Sequence, residues 1–258
     1  MAKQSSLPDP PAPNLPDTRE KLKEVAQRLF ADRGIDGVAV RDIVSASGQR
    51  NAASVHYYFG GKDALVRELL EDGARRIDLR RNALLDELER EGPLTELRQT
   101  VDILVRSSLP QAAERGTAST YLRFIAMLQL NHRHLFLEAI EGRCDSGYQR
   151  VLAHLRRLLQ GMPDDLVSQR LLFMGLFLTQ AMATWEASWG SGRADSIWHR
   201  PLVLQDIVDT ATAVLMAPGR TAEQVVAPQA AQMPPPAPRE APQRQRRLPA
   251  QKAPAHRR

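Results

Sequence analysis

Six consecutive positions, Tyr57-Tyr58-Phe59-Gly60-Gly61-Lys62, set aromatic rings, two glycines and a cation side by side. Glycines at 60 and 61 free the backbone amides that open the next helix, and such an end is a ready anion site. A lysine there opposes the helix dipole, so helix stability does not explain it; a phosphate lying at that helix start does. Upstream, the runs Arg41-Asp42-Ile43-Val44 and Ala52-Ala53-Ser54-Val55 each carry small or apolar residues on one side, with Gly48 where the chain must bend. That is two short helices around a glycine turn, a helix-turn-helix, whose second helix fits a DNA major groove. On this reading Gln49, Arg50, Asn51, Ala52 and Ser54 lie on the exposed side of the second helix and meet bases, with His56 at the edge. Arginine pairs with guanine, asparagine with adenine, and an alanine methyl meets a thymine methyl. Tyr57, Tyr58 and Lys62 touch the sugar-phosphate backbone, which fixes register without reading sequence, and Arg41 joins the DNA-contacting candidates. The bland alternative is a helical hairpin with a glycine turn, which leaves Lys62 and the aromatic triplet unexplained. Tyr58 equally fits a core ring, and Phe59 reads as core.

Taken with the helix Leu22-Lys23-Glu24-Val25-Ala26-Gln27-Arg28-Leu29-Phe30, then Arg33-Gly34, Arg41-Asp42-Ile43, Gly48 and Tyr57 to Leu65, the segment from about Thr18 to Leu70 resembles the DNA-binding domain of the tetracycline-repressor (TetR) family. The resemblance implies an all-α protein: an N-terminal three-helix helix-turn-helix domain and a C-terminal helical domain for ligand binding and dimerisation. It further implies a homodimer formed through the last two helices, a palindromic double-stranded DNA operator, and a small-molecule effector that releases the DNA. Two departures stand out. Ala39 and Val40 occupy positions where the family often places a Thr or Ser cap, and the stretch from Gly48 to Phe59 is one residue longer than the common pattern.

Composition bounds the rest. The chain has 258 residues, 43% hydrophobic, with few aromatics, which favours packed helices. Cys144 is the single cysteine, so no internal disulfide forms and a reducing cytoplasm is the natural compartment. No charged-then-apolar leader opens the chain, and the most apolar run, Leu171 to Trp185, falls short of the roughly 20 residues that span a bilayer. A soluble cytoplasmic protein is expected, with no membrane partner. The net charge of +5 is misleading as a DNA signal, because residues from Pro218 onward carry +6 and residues 1–217 carry −1.

Proline density marks residues 1–16 as a disordered leader, and Asp17 with Glu20 reads as a capping box that starts the first helix. The helix-turn-helix domain then covers 17–62 and the helical ligand-binding and dimerisation domain 63–217, followed by a disordered basic Pro-rich tail over 218–258. A helix from Lys62 to about Glu91 joins the two domains, with Gly73 a candidate bend; Pro93 is placed in the first turn of the next helix. The run Leu171-Leu172-Phe173-Met174-Gly175-Leu176-Phe177-Leu178 is apolar on every side, so one face needs cover beyond its own domain, most economically a partner subunit.

Tyr121, Phe124, Met127, Phe173, Met174, Phe177 and Trp185 are candidates for lining a small-molecule cavity between helices, although each alone reads more readily as core. His132, His134, Glu138, Glu141 and Cys144 invite a metal site, but two histidines two apart point about 200° apart on a helix, so no metal ligands and no cofactor are assigned. No Gly-rich nucleotide loop, metal triad or nucleophile elbow supports an enzyme. The competing class is a helical protein-binding adaptor, or a small-molecule-binding protein, without DNA activity.

Overall fold

In a computed structural model, residues 15–51, 53–110, 120–140, 145–189 and 197–218 are described. Among them there is no strand, and the chain is all-α as expected. The expected leader lies outside the described residues apart from its last two positions, and so does the tail after Pro218. Ten helices follow in order: α1 Leu15–Arg33, α2 Val40–Ala46, α3 Ser54–Phe59, α4 Lys62–Glu91, α5 Leu97–Ser108, α6 Tyr121–Asn131, α7 Arg133–Ile140, α8 Ser146–Leu158, α9 Asp164–Ser188 and α10 Val203–Met216. A short 3-10 turn, Ile197–His199, precedes α10.

The apolar stripe of α1 (Leu22, Val25, Ala26, Leu29, Phe30) is buried as its spacing requires. Gly34 ends the helix at φ +72, donating its N–H to the Phe30 carbonyl at 3.0 Å, a left-handed cap that other residues adopt only under strain. This stripe packs with Ile43, Val44, Val55, Leu65 and Leu70, and with three residues that belong to α6: Tyr121, Phe124 and Leu128. Phe30 and Phe124 stack with centroids 6.2 Å apart. The small N-terminal core is therefore completed by a helix about ninety residues later in the chain.

Helix α4 runs unbroken through Gly73, whose role here is close packing. A Cβ there would meet the Tyr121 ring at 1.9 Å, and the Tyr121 hydroxyl donates to the Leu70 carbonyl at 2.9 Å. The missing side chain lets an aromatic ring lie directly on the α4 backbone. Pro93 is not helical: Gly92 takes φ +146, residues 92–96 form no helix, and α5 begins at Leu97.

A second core joins α4, α5, α8, α9 and α10 through Leu85, Val101, Leu104, Val151, Leu155, Met174, Val208 and Leu215. Two buried carboxylates lock helix starts into place. Asp78 on α4 accepts from Gly147 N–H (2.8 Å) and Ser146 Oγ–H (2.7 Å) at the start of α8. Glu186 on α9 accepts from Leu122 N–H (3.2 Å) and Arg123 N–H (2.9 Å) at the start of α6. Each anion faces the positive end of a helix dipole and satisfies amides that no turn of the helix can reach.

The expectation that no segment reaches membrane-spanning length is corrected: α9 runs 25 residues and is long and apolar enough to cross a membrane by length and composition. The uncharged run is short, but the helix continues past both its ends. Leu171, Met174, Leu178, Ala181 and Met182 are buried in the second core and Glu186 is locked against α6, as befits a core helix. Leu172, Phe173 and Leu176, on the same helix, remain 50%, 48% and 48% exposed.

Candidate nucleic-acid interface and ligand cavity

The α2–α3 unit is held by local hydrogen bonds. Ala39, in place of a capping hydroxyl residue, leaves half a capping box: its N–H donates to Asp42 Oδ2 at 2.9 Å. Gly48 follows α2 at φ +75 and donates to the Ser45 carbonyl at 3.1 Å. Gly60 (φ +82) closes α3, and Gly61 (φ +141) opens α4. Both link positions need positive φ, which explains two successive glycines.

The register of the candidate base readers is corrected. Helix α3 begins at Ser54, so Gln49, Arg50 and Asn51 lie in the connection before it, and Ala52 lies outside the described residues. Asn51 Oδ1 accepts the Ala53 N–H at 2.9 Å, while its backbone carbonyl accepts the Ser54 N–H (3.0 Å) and Oγ–H (2.7 Å). Reading adenine takes both Oδ1 and Nδ2 of an asparagine, and here Oδ1 is already used to start α3. Ser54 is 8% exposed and its hydroxyl is spent on that same turn, so it does not face outward as its place in the sequence suggested.

Arg50, His56 and Tyr57 are exposed, and Gln49 is half-buried. Tyr57 is 75% exposed, set edge-on against Tyr58 with centroids 5.0 Å apart. Tyr58 and Phe59 are partly buried against the N-terminal core, and the Arg19 guanidinium lies 5.0 Å from the Phe59 ring centroid.

On the side of α1 that meets α4 and α6, Arg19 pairs with Glu68 at 2.6 Å, Lys23 with Asp72 and Glu68, and Arg123 with Asp32 at 2.7 Å. Among the described residues, Arg50 and Lys62 have no acidic partner, and Lys62 Nζ sits 6.0 Å from the Phe30 ring. The Arg41 side chain is 88% exposed with a loose 3.8 Å approach to Asp42. Cations without an acidic partner in the turn after α2 and at the start of α4, with the exposed Arg41 and Tyr57, are what a polyanion backbone would meet.

A cavity of about 370 Å³ lies between α4, α5, α6, α7, α8 and α9. Of the candidate lining residues, Tyr121 and Met174 border it and the others do not. Phe124 is fully buried against Phe30, and Met127 reaches toward Gly34 on α1. Phe173 is exposed, Phe177 is half-buried against the second core, and Trp185 packs edge-on against Trp189. These rings face away because the helical period carries them off the cavity side.

Sequence reasoning passed over the polar residues of the wall, among them Arg81 and Tyr148. Arg81 Nε–H donates to Ser107 Oγ at 3.2 Å, and its guanidinium stands 5.6 Å from the Tyr148 ring centroid. Burial holds the Arg81 guanidinium below the ordinary arginine value, with the charge of Asp78 opposing that shift. Burial likewise raises the Tyr148 phenol. Arg81 sits among Arg75, Arg76 and Arg80 in the sequence, so nothing local marks it as the inward one.

Comparison with known proteins agrees with the geometry of the N-terminal end. The family model "Bacterial regulatory proteins, tetR family" matches residues 22–69. The HTH-type transcriptional repressor KstR2 of Mycolicibacterium smegmatis is 36% identical over 64 residues, covering 24% of this chain and 31% of that protein. The chain thus matches about a third of the length of KstR2. The HTH-type transcriptional regulator AcrR of Shigella flexneri is 23% identical over 181 residues, 66% of this chain and 78% of that one. Among solved structures, the fatty acid degradation regulator FadR from Bacillus halodurans aligns at TM-score 0.49 and 17% identity, over 78% of this chain and 99% of that one. The TetR family regulator PfmR from Thermus thermophilus aligns at TM-score 0.48 and 15% identity, over 79% and 98%. The α2–Gly48–α3 unit, the glycine pair and Lys62 all lie inside residues 22–69, the segment that matches the tetR family of bacterial regulatory proteins.

Proposed function

We propose that the protein is a transcriptional repressor that binds a palindromic DNA operator as a homodimer in the cytoplasm and is released by a small molecule in the C-terminal cavity. The observation that carries this reading is the pair of cations without acidic partners, Arg50 and Lys62, on either side of α3 with its exposed Tyr57. Tyr57, Lys62 and Arg41 meet the backbone; Arg50 and His56, with Gln49, face the base edges. That KstR2 is a repressor supports the direction of control. Leu172, Phe173 and Leu176 on α9, together with α10, form the contact between subunits, and a two-fold dimer places two reading heads on two half-sites.

Helix α6 supplies the physical link. Tyr121 belongs to the N-terminal core and also borders the cavity, while α4 runs from Lys62 past the cavity wall at Leu70, Ile77 and Arg81. A ligand that shifts α6 or α4 moves the head, because packed interfaces shift as units. Retardation of the upstream DNA of the protein's own gene in a gel, competed by the same unlabelled DNA and poorly by random DNA, is the expected result. An adaptor that uses the exposed α9 face for another protein would give no retardation, and that outcome would end the regulator reading.

A further inference from the structure

Three charged side chains border the cavity, Arg81, Arg133 and Asp145, and they sum to +1 inside a mostly apolar wall of Leu, Ile, Phe and Met side chains. Arg81 has no carboxylate within salt-bridge distance among the described residues, because the nearby Asp78 is committed to the start of α8. The hydrogen bond from Nε to Ser107 uses one guanidinium N–H of five. The Tyr148 hydroxyl stands 3.9 Å from where a Gly175 Cβ would be, at another part of the same wall, and it has no protein hydrogen-bond partner among the described residues. A buried guanidinium without an anion is costly to keep. A carboxylate is the group its planar fork fits best, and the Tyr148 hydroxyl supplies a second donor on the same wall.

Resting on the reading of this cavity as the effector site, we propose that its ligand is a compact apolar carboxylate, a chain or small ring system whose single anionic group is held by Arg81 and Tyr148 while its hydrocarbon lies against Leu104, Ile125, Phe136 and Met174. The volume of about 370 Å³ sits at the low end of the ~300–1,000 Å³ of small-molecule sites, which limits the ligand to one such group and a modest tail. Desolvation already disfavours the guanidinium charge, so an entering anion relieves a penalty that a neutral or cationic analogue leaves in place. Tyr121 borders the same cavity, so the hydrocarbon end lies against the helix that completes the N-terminal core.

Titration calorimetry on the full chain with laurate, dodecanol and dodecylammonium, below their aggregation limits, tests this with the tail held constant. Laurate is expected to bind at least about tenfold more tightly than dodecanol, and dodecylammonium most weakly. Arg81→Met should weaken laurate about 10–100-fold, the range of a charge-assisted hydrogen bond, and leave dodecanol within about twofold. Arg81→Met should also melt no lower than the parent, because a buried charge has been removed. Should that variant lose its helical circular dichroism, Tyr148→Phe decides, with an expected loss for laurate of about three- to tenfold. Laurate binding no better than dodecanol, or unchanged by both substitutions, would overturn the inference. A parallel gel-shift on the upstream DNA separates the two readings. Retardation without head-group preference refutes the carboxylate alone; head-group preference without retardation refutes the regulator alone.

Discussion

The two ends of this molecule solve the problem of marginal size differently. The helix-turn-helix pair is short, with α2 at seven residues and α3 at six, and the N-terminal region depends on particular backbone positions: Gly34, Gly48, Gly60 and Gly61 all at positive φ. The C-terminal helices depend on side chains that cross from one helix to another, Asp78 to α8 and Glu186 to α6. Local chemistry shapes the first region and distant pairing shapes the second. The regions meet at α6, whose Tyr121 and Phe124 fill the core beneath the reading head.

Replacing Phe124 with alanine breaks that junction and carries the largest expected effect. A fully buried aromatic ring stacked on Phe30 is removed, at a cost of about 3–5 kcal/mol. If the head were an independent three-helix unit, thermal melting would show the loss only in the C-terminal part. The shared core predicts instead that DNA binding and global stability fall together, read by melting and anisotropy on the same sample.

Gly73→Ala is next. Alanine favours helix over glycine by about 1 kcal/mol, but its Cβ would meet the Tyr121 ring at 1.9 Å and force the ring off Leu70. Overpacking of this kind costs about 1–3 kcal/mol, so a net loss is expected in urea melts. Pairing it with Tyr121→Leu should recover part of the loss, since the smaller side chain removes the clash. A stabilised Gly73→Ala would mean that Tyr121 does not lie on α4.

Much of the head was legible in the sequence because its determinants are local. Glycines that stop helices, an apolar stripe at helical spacing in α1 and the aromatic-Gly-Gly-Lys run each act within a few residues of themselves. Asn51 was legible as polar and exposed, but not as the residue that starts α3, since its acceptor bond to Ala53 competes with the base reading that its type suggests. The limits of α4 followed from helical spacing. Gly73 looked like a bend because Tyr121, 48 positions later, cannot be seen to cover it. For the same reason Arg81 could not be told from Arg80, or the capping role of Glu186 from an ordinary surface charge: the partner is set by tertiary packing.

A smaller effect separates the two roles of Asn51. As the residue that starts α3, its replacement by alanine should cost about 0.5–2 kcal/mol of stability and leave base preference at every operator position unchanged. A base-substitution scan with Asn51→Ala checks this. Relaxed preference at one position per half-site would return Asn51 to the bases.

The smallest change in energy bears most directly on the head as a DNA-binding end. Lys62 follows two positive-φ glycines, has no acidic partner among the described residues, and opens the helix that runs past the cavity. Fluorescence anisotropy of the parent and Lys62→Ala on operator and random duplexes, across about 50–200 mM salt, reads its contact with phosphate. Lys62→Ala is expected to weaken both duplexes alike and to lower the slope of log affinity against log salt by about one, with operator preference intact. An unchanged slope on both duplexes would contradict the placement of a DNA phosphate at the start of α4.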